Sequence, residues 1–563
     1  MANADQITAA RHGHSRPHLT NGASTPNKSA NSNFQCDVIV IGAGFCGITA
    51  IHRFRKLGMK VKCFEAGNGL GGVWHFNTYP GARVDSEVPF YQLNIPEVWQ
   101  SWIFGERFPS GPELQRYFEH VDRTLDLSRD VFFNARVNDC SWDETELLWT
   151  VKTHQGHEAQ AKYLVVCTGL LHYTFTPSFP GFDRYKGEIC HAGAWNQKFT
   201  TKGKKVAIIG AGSTGVQITQ EIGKEADQTT VFVRRPSYCL PMHQRQLTTE
   251  EQLQVRPYYP VLFKAGRQSH AGFPSERPPQ GMFETSAEER TELLERLWDV
   301  GGPAFALNGY GDVMFDPKAN KAAYDFWAGK VRQRLKDPQK QKIMAPQNAP
   351  YYFGTKRIPL ENDYYEVLDQ PNVSIHDLNS APFETFVKDG VVTADGKVHT
   401  FDAVVLATGF DSHTGSLTHM GLRNKDGTDL KDTWEDGVHT YLGLTVSGYP
   451  NMFMGFAPQA PTALSNGPTC IEAQIEIIVD MVRKMELEGV RWIEAQPSAE
   501  KEWKASIDGM VEGTLFPFTN SWWNAGNVPG KKAANMLYVA GIEHYEAVCR
   551  DKLDGWKGFD VLH

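Results

Sequence analysis

Apolar residues along the chain gather in short unbroken runs, and these alternate with longer stretches of helical period. Asp37-Val38-Ile39-Val40-Ile41 is the first run, and its length suits a strand buried on both faces. Ile48, Ala50, Ile51, Phe54 and Leu57 follow at helical spacing, with Gly58 placed to end the helix. Lys60-Val61-Lys62-Cys63-Phe64-Glu65 reads as the next strand. The same order returns at Lys205-Val206-Ala207-Ile208-Ile209. A helix then runs through Val216, Ile218 and Ile222, and Thr229-Thr230-Val231-Phe232-Val233 closes the unit. Two more buried strands, 163–167 and 403–407, run into the small-residue turns Thr168-Gly169 and Thr408-Gly409. Strand–helix–strand order with wholly apolar strands predicts parallel sheets, hence an α/β fold.

Over about 245–345 the pattern becomes helical. Ser286 with Glu289 forms a capping-box signature, and Leu293, Leu294, Leu297 and Val300 continue a stripe. Ile471, Ile475, Ile478, Val482 and Met485 form another, with Gly489 as its stop. Both stripes read as core-facing. Residues 1–33 hold almost no large apolar side chains and are expected to be a disordered tail, with His12, His14 and His18 solvated rather than metal-binding.

The two glycine turns bring in chemistry. In Gly42-Ala43-Gly44-Phe45-Cys46-Gly47 the first glycine permits the tight turn, the second lets backbone approach a pyrophosphate, and the third lets helix and strand pack closely. The helix start then offers unpaired N–H groups to phosphates. Glu65, 23 positions after Gly42, can accept hydrogen bonds from both hydroxyls of an adenosine ribose and would repel a 2′-phosphate. A glycine-rich structural turn is the plain alternative. Gly210-Ala211-Gly212-Ser213-Thr214-Gly215 repeats the pattern, but Arg234-Arg235 stands where the first unit has its acid. Two guanidiniums there suit a 2′-phosphate and give a bare ribose no acceptor, so NADPH is expected over NADH. A surface basic pair is the alternative at that position. Together the two turns predict two Rossmann-type dinucleotide-binding domains, one for FAD and one for NADP, with a mainly helical insertion. The expected division is 34–170 for the first part of the FAD domain, 171–400 for the NADP domain with its insertion, and 401–563 for the rest of the FAD domain with a C-terminal lid and substrate region.

Composition narrows the field. A chain of 563 residues with net charge −8 has no global field for nucleic acid or an anionic membrane. No run of about 18 apolar residues exists, so no membrane span is expected. The nine cysteines are scattered without Cys-x-x-Cys, which fits a reducing compartment, taken as the cytoplasm. The same spacing argues against a disulfide framework, a zinc site or a dithiol redox pair, so no metal is expected. No obligate protein partner is evident.

At this point the residues resemble the Baeyer–Villiger monooxygenases among the class B flavin monooxygenases. Gly71-Gly72-Val73-Trp74-His75-Phe76-Asn77-Thr78-Tyr79-Pro80-Gly81-Ala82-Arg83-Val84-Asp85 matches the family's Gly-Gly-x-Trp and aromatic-Pro-Gly-x-x-x-Asp pattern. Tyr185-Lys186-Gly187-Glu188-Ile189-Cys190-His191-Ala192-Gly193-Ala194-Trp195-Asn196 resembles its fingerprint, with Tyr185 for the usual Phe and Asn196 for the usual Pro or Asp. Lys356-Arg357, followed by Asp363-Tyr364-Tyr365-Glu366, is similar to the segment carrying the family's active-site arginine. Ser521-Trp522-Trp523 through Asn527-Val528-Pro529-Gly530 resembles its C-terminal loop. The resemblance spans about 34–563 and is nearest to the group acting on phenylacetone, steroid and cyclic ketones.

The resemblance implies a reaction in which NADPH, O₂ and a ketone give NADP⁺, water and an ester or lactone, through a C4a-peroxyflavin that must stay deprotonated to attack the carbonyl. It implies Arg357 as the cation facing that anion and Asp85 as the partner holding it. A structural ion pair and a turn-forming aspartate are the plain readings of these two residues. By the same match Val73, Trp74, Ser86 and Tyr91 are FAD contacts. Arg83, Lys356, Ser213, Thr214 and Gln217 are NADP contacts, and Trp522, in a loop read as a candidate lid, is a further cofactor-binding residue. His191 and Trp195 are expected to stiffen the link between the domains. The main rival is a flavin monooxygenase oxidising nitrogen or sulfur in a small molecule, which has less use for Arg357. A disulfide reductase lacks its cysteine pair here, and an NADPH-sensing scaffold is the last rival.

Overall fold

The computed structural model describes residues 33–563. The tail expected over 1–33, with His12, His14 and His18, lies outside the described residues except for Asn33.

Strand β1 (Asn33–Ile41) begins four residues before the apolar run, because Asn33 to Cys36 find ladder partners from Glu158 to Ala161. Helix α1 (Phe45–Lys56) follows the first glycine turn. Gly58 ends it at φ +78°, donating its N–H to the Arg55 carbonyl at 2.9 Å. Strands β2 (Val61–Phe64) and β3 (Glu158–Val166) flank β1, and both run parallel to it. Val38, Ile39 and Val40 are fully buried, as a strand covered on both faces must be.

The chain then crosses into a second sheet. It is built from β4 (Glu188–His191), β5 (Lys205–Ile209), α2 (Ser213–Glu225) and β6 (Gln228–Val233). After these come the helices of the insertion, chiefly α3 (Ala287–Val300) and α4 (Pro317–Arg334). Strands β7 (Val373–Asp377) and β8 (Ala403–Leu406) complete the sheet in the order β7-β6-β5-β8-β4, every pair parallel. Strand β9 (Met452–Met454) returns to the first sheet beside β3, and α5 (Gly467–Glu488) packs on α1.

The division drawn at residue 401 needs correction. β8 lies between β5 and β4, so it belongs with the second sheet, not with the C-terminal part of the first. Its four apolar residues are buried on both faces and require a neighbour on each edge. The crossing back falls at Thr408-Gly409. The stripe in α3 also needs one correction. Leu294 and Leu297 are buried and Leu293 is half-buried, but Val300 is 49% exposed. Val300 lies at the helix end, two turns beyond Leu293 on the margin of the buried face. The Ser286–Glu289 capping box forms as read, with the Glu289 N–H donating to Ser286 Oγ at 3.1 Å and the Ser286 N–H donating to Glu289 Oε2 at 2.8 Å. The α5 stripe is buried throughout, and Gly489 stops the helix at φ +68°. Among the described residues no helix is long and apolar enough to cross a membrane.

Candidate active site

The two glycine turns are built alike. A Cβ on Gly47 would stand 1.8 Å from the Gly42 carbonyl oxygen, and one on Gly215 would stand 2.1 Å from that of Gly210. The third glycine of each turn therefore lets its helix lie directly against the turn. The first helical turns of α1 and α2 carry no acidic residue and no side-chain cap. Elsewhere Thr248, Ser286, Asp316 and Asp337 cap their helices with a side-chain oxygen. At α1 and α2 the N–H groups and the positive helix end remain for an outside anion. The middle glycines differ. Gly44 packs against Gly72, whereas a Cβ on Gly212 would meet nothing within 4 Å.

Both turns open on one cavity of about 410 Å³. On the first-sheet side it is lined by Gly42, Gly44, Glu65, Val73, Trp74 and Tyr91. Glu65 is 3% exposed and accepts the N–H groups of Ala43 at 2.7 Å and Gly67 at 2.6 Å. Burial pushes its carboxyl up, against the pull of those N–H groups and of Arg136. Each oxygen keeps a lone pair for a further donor. The Trp74 indole donates to Tyr91 Oη at 2.9 Å. Asn77 Oδ1 and Thr462 Oγ1, in the lining, are buried without a partner among the described residues, and so is Ser86 Oγ, beside Asp85. Buried polar atoms are normally paired. Orphans around a cavity with two open helix ends fit a large polar ligand, and the residues present fit dinucleotides.

At the centre stands Arg357. Its Nε and Nη2 donate to Asp85 Oδ2 and Oδ1, both at 2.7 Å, and its Nη1 donates to the Ala463 carbonyl at 2.6 Å. Burial alone would disfavour both charges, but each outweighs it for the other. The Asp85 carboxyl is held below its ordinary range and the guanidinium above its own. Two of the five guanidinium N–H groups remain for the cavity that Arg357 and Asp85 both line.

The second-sheet side contributes Ser213, Thr214 and Gln217 to the lining. The Gln217 amide accepts from Tyr79 Oη and donates to the Arg83 carbonyl, both at 2.8 Å, and so binds α2 to the Tyr79–Arg83 loop. Arg83 lines the cavity, with its guanidinium held by Glu106 and the Phe108 carbonyl. Arg234 and Arg235 are exposed and lie outside the lining. Lys356 joins them, its ammonium 4.2 Å from the centre of the Tyr351 ring. Burial, then Arg235 and Arg234, lower the Lys356 pKa to about 8. Three cations that raise one another's cost invite a phosphate. Arg235 also donates to the Asn520 carbonyl at 3.5 Å, next to the loop that begins at Ser521. Trp522 of that loop lines the cavity.

The two crossings between the sheets touch. Thr174 and Phe410 form an antiparallel bridge, and the Thr408 hydroxyl donates to the Phe175 carbonyl at 2.6 Å. His191 Nε2 lies 3.2 Å from both that carbonyl and Thr408 Oγ1. Trp195 is buried edge-on against Phe199. Neither His191 nor Trp195 lines the cavity.

Sequence reasoning missed two features of the lining, Arg136 and the Tyr173–His419 stack, but reads the 460–470 segment as shaping the pocket. Arg136 lies close enough to Glu65 to pull its carboxyl down, and its Nη1 is 3.1 Å from His172 Nε2. Tyr173 stacks on His419 at 4.2 Å. The start of α5, Gly467 and Pro468, brings a third helix N-terminus to the cavity, again without a side-chain cap or an acid. That start falls in the 460–470 segment, and its sequence signal is the Asn-Gly-Pro that opens the apolar stripe.

Residues 35–250 match the model of the flavin-binding monooxygenase-like family. The chain is 41% identical over 531 residues to the FAD-binding monooxygenase acrE of Aspergillus aculeatus, covering 94% of this chain and 90% of that one. It is 40% identical over 537 residues to cyclopentanone 1,2-monooxygenase of a Comamonas species, covering 95% and 97%. The crystal structure of cyclohexanone monooxygenase from a Rhodococcus species, bound to NADP⁺, superposes with a TM-score of 0.90 at 34% identity, covering 94% of this chain and 99% of that one.

Proposed function

The chain belongs to the flavin-binding monooxygenases, and on that premise we propose that its cavity takes a cyclic ketone, with Arg357 and Asp85 as the groups around which oxygen insertion is arranged. It is an FAD-dependent, NADPH-consuming Baeyer–Villiger monooxygenase. One atom of O₂ enters beside a ketone carbonyl to give an ester or lactone, and the other leaves as water. The observation that carries the reading is the fork-to-fork Arg357–Asp85 pair, set in a cavity that both dinucleotide turns line.

Bound FAD, reduced by NADPH, supplies the activation of dioxygen. The chain supplies position and charge. In this reading Gly42, Gly44, Gly47 and Glu65 hold the adenosine and pyrophosphate of FAD, and Val73, Trp74, Ser86 and Tyr91 flank its ring. Gly210, Gly212, Ser213, Thr214 and Gly215 receive the pyrophosphate of NADP, while Arg234, Arg235 and Lys356 take its 2′-phosphate. Arg83 and Gln217 fix the loop between the two. Arg357 presents a permanent cation where negative charge gathers on oxygen, and Asp85 keeps its plane fixed. Trp522 closes one wall against water. The FAD-binding part comprises 34–170 and the chain beyond Gly409, and the NADP-binding part lies between them. No obligate protein partner enters this reading, and nine free cysteines suit the cytoplasm.

An apolar ketone suits the lining that Ala463, Phe456 and Ile471 give the cavity, and a cyclic one is favoured by the likeness to cyclopentanone 1,2-monooxygenase. The test is a panel of cyclic, aryl-alkyl and short acyclic ketones, with an amine and a sulfide alongside, assayed by mass spectrometry for oxygenated product. Lactones from the cyclic ketones are expected. Oxygenated amine or sulfide without any ester would overturn the reading in favour of nitrogen or sulfur oxidation.

A further inference from the structure

We propose that Cys46 and Cys167 are an oxidation site, closing to a disulfide beneath the first dinucleotide turn when the protein meets a peroxide. Cys46 lies in the first turn of α1, within the Gly42–Gly47 segment. Cys167 directly follows β3 and stands 121 positions away in sequence. Their Sγ atoms are 3.1 Å apart. That is inside the roughly 3.5–4.0 Å at which even carbon atoms pack best, although sulfur is larger. A disulfide needs about 2.05 Å, so closure asks for a movement of about 1 Å.

The surroundings hold the pair together. The Cys167 N–H donates to the Ile41 carbonyl at 2.8 Å, and a Cβ on Gly42 would stand 2.6 Å from the Cys167 carbonyl oxygen. The two backbones are therefore already in contact. Across from them a Cβ on Gly455 would come within 2.4 Å of Cys46 Sγ. Glycine at 455 leaves the space that the sulfurs occupy. Both cysteines line the cavity on which the first dinucleotide turn opens.

The chemistry balances with one peroxide. One cysteine sulfur attacks a peroxide oxygen, the O–O bond breaks, and a sulfenic acid and water result. The second sulfur then displaces the hydroxyl as a second water, forming the S–S bond. Two thiols are oxidised and one hydrogen peroxide is reduced. Burial pushes the Cys167 thiol well above its ordinary range, so thiolate is scarce and closure is slow. The product fastens the pyrophosphate turn to the end of β3.

The experiment uses the full-length, FAD-loaded protein. It is incubated with excess hydrogen peroxide, denatured in alkylating reagent and mapped by mass spectrometry without reductant. The expected result is loss of two of the nine free thiols and a peptide linking Cys46 to Cys167, released by dithiothreitol. Cys46→Ser and Cys167→Ser are each expected to keep every remaining thiol under the same treatment. Bound-flavin absorbance shows that each variant is folded, and alanine replaces serine where it is not. Cys46 and Cys167 recovered alkylated, oxidised singly to sulfinic acid or joined to another cysteine would each overturn the proposal.

Discussion

The Arg357 guanidinium meets the Asp85 carboxylate edge to edge through two 2.7 Å hydrogen bonds, across 272 positions of sequence. This geometry fixes the plane of the cation while leaving N–H groups toward the cavity. Arg357→Ala is expected to lower ester formation by at least about 10²–10³ while NADPH still bleaches the flavin. Stopped-flow absorbance reads the reduction and mass spectrometry the product. Arg357→Lys keeps the charge but loses the fork, so it should recover only a small part of the rate. Product formed by the alanine variant at the wild-type rate would remove Arg357 from its assigned place.

Lys356 carries a pH prediction. Burial, with Arg235 and Arg234 beside it, lowers its pKa to about 8, so it loses its proton as pH rises through that value. A 2′-phosphate needs the charged form. NADPH affinity is therefore expected to fall between pH 7 and 9.5, and Lys356→Arg should flatten that fall by staying charged. Folding responds with the opposite sign. Between about 8 and the ordinary lysine value near 10.4, the unfolded chain binds the extra proton, so this group's contribution to stability rises with pH. Titration of NADPH binding by fluorescence across the range checks the first claim. A flat wild-type profile would show that Lys356 does not meet the phosphate.

Arg234 and Arg235 stand exposed beyond β6 with no acidic hydrogen-bond partner among the described residues. Replacing both by alanine should remove charged hydrogen bonds of about 1.5–3 kcal/mol each from the 2′-phosphate. KM for NADPH is then expected to rise more than tenfold, with KM for NADH nearly unchanged. Steady-state kinetics with both reductants decides it, and equal effects would make the pair an ordinary surface feature.

What the sequence made legible follows from range. The two strand–turn–helix units are local, and apolar runs with glycines at fixed spacing specify them without the rest of the chain. β8 shows the limit. Ala403 to Leu406 reads correctly as a buried strand, but four apolar residues carry no address, and their partners Val206 to Ile209 lie nearly two hundred positions away. Which sheet it joins is decided by which edge is open, and that is a tertiary fact. The pairing of Asp85 with Arg357 came from a motif resemblance, since an aspartate in a Gly/Pro-rich loop looks locally like a turn former. Arg136 beside Glu65, and the Cys46–Cys167 contact, had no signal at all. Each joins segments with no shared pattern, brought together only by the closing of the first sheet.

The second glycine turn offers a contrast within four residues. A Cβ on Gly215 would lie 2.1 Å from the Gly210 carbonyl oxygen, a backbone atom that cannot give way without lifting α2 from the sheet. Gly212 has ordinary extended backbone angles at the start of α2 and open space where its Cβ would go. Gly215→Ala should therefore damage the fold, lowering the thermal midpoint and the yield of flavin-loaded protein. Gly212→Ala should leave both unchanged, because nothing in the chain resists the methyl group. If that space is where a pyrophosphate lies against backbone, the same methyl group should weaken NADPH binding at least tenfold. Calorimetric melting and flavin content report the fold, and NADPH titration reports the site. A Gly212→Ala protein that melts normally and binds NADPH at wild-type strength would mean that the nucleotide does not approach this turn.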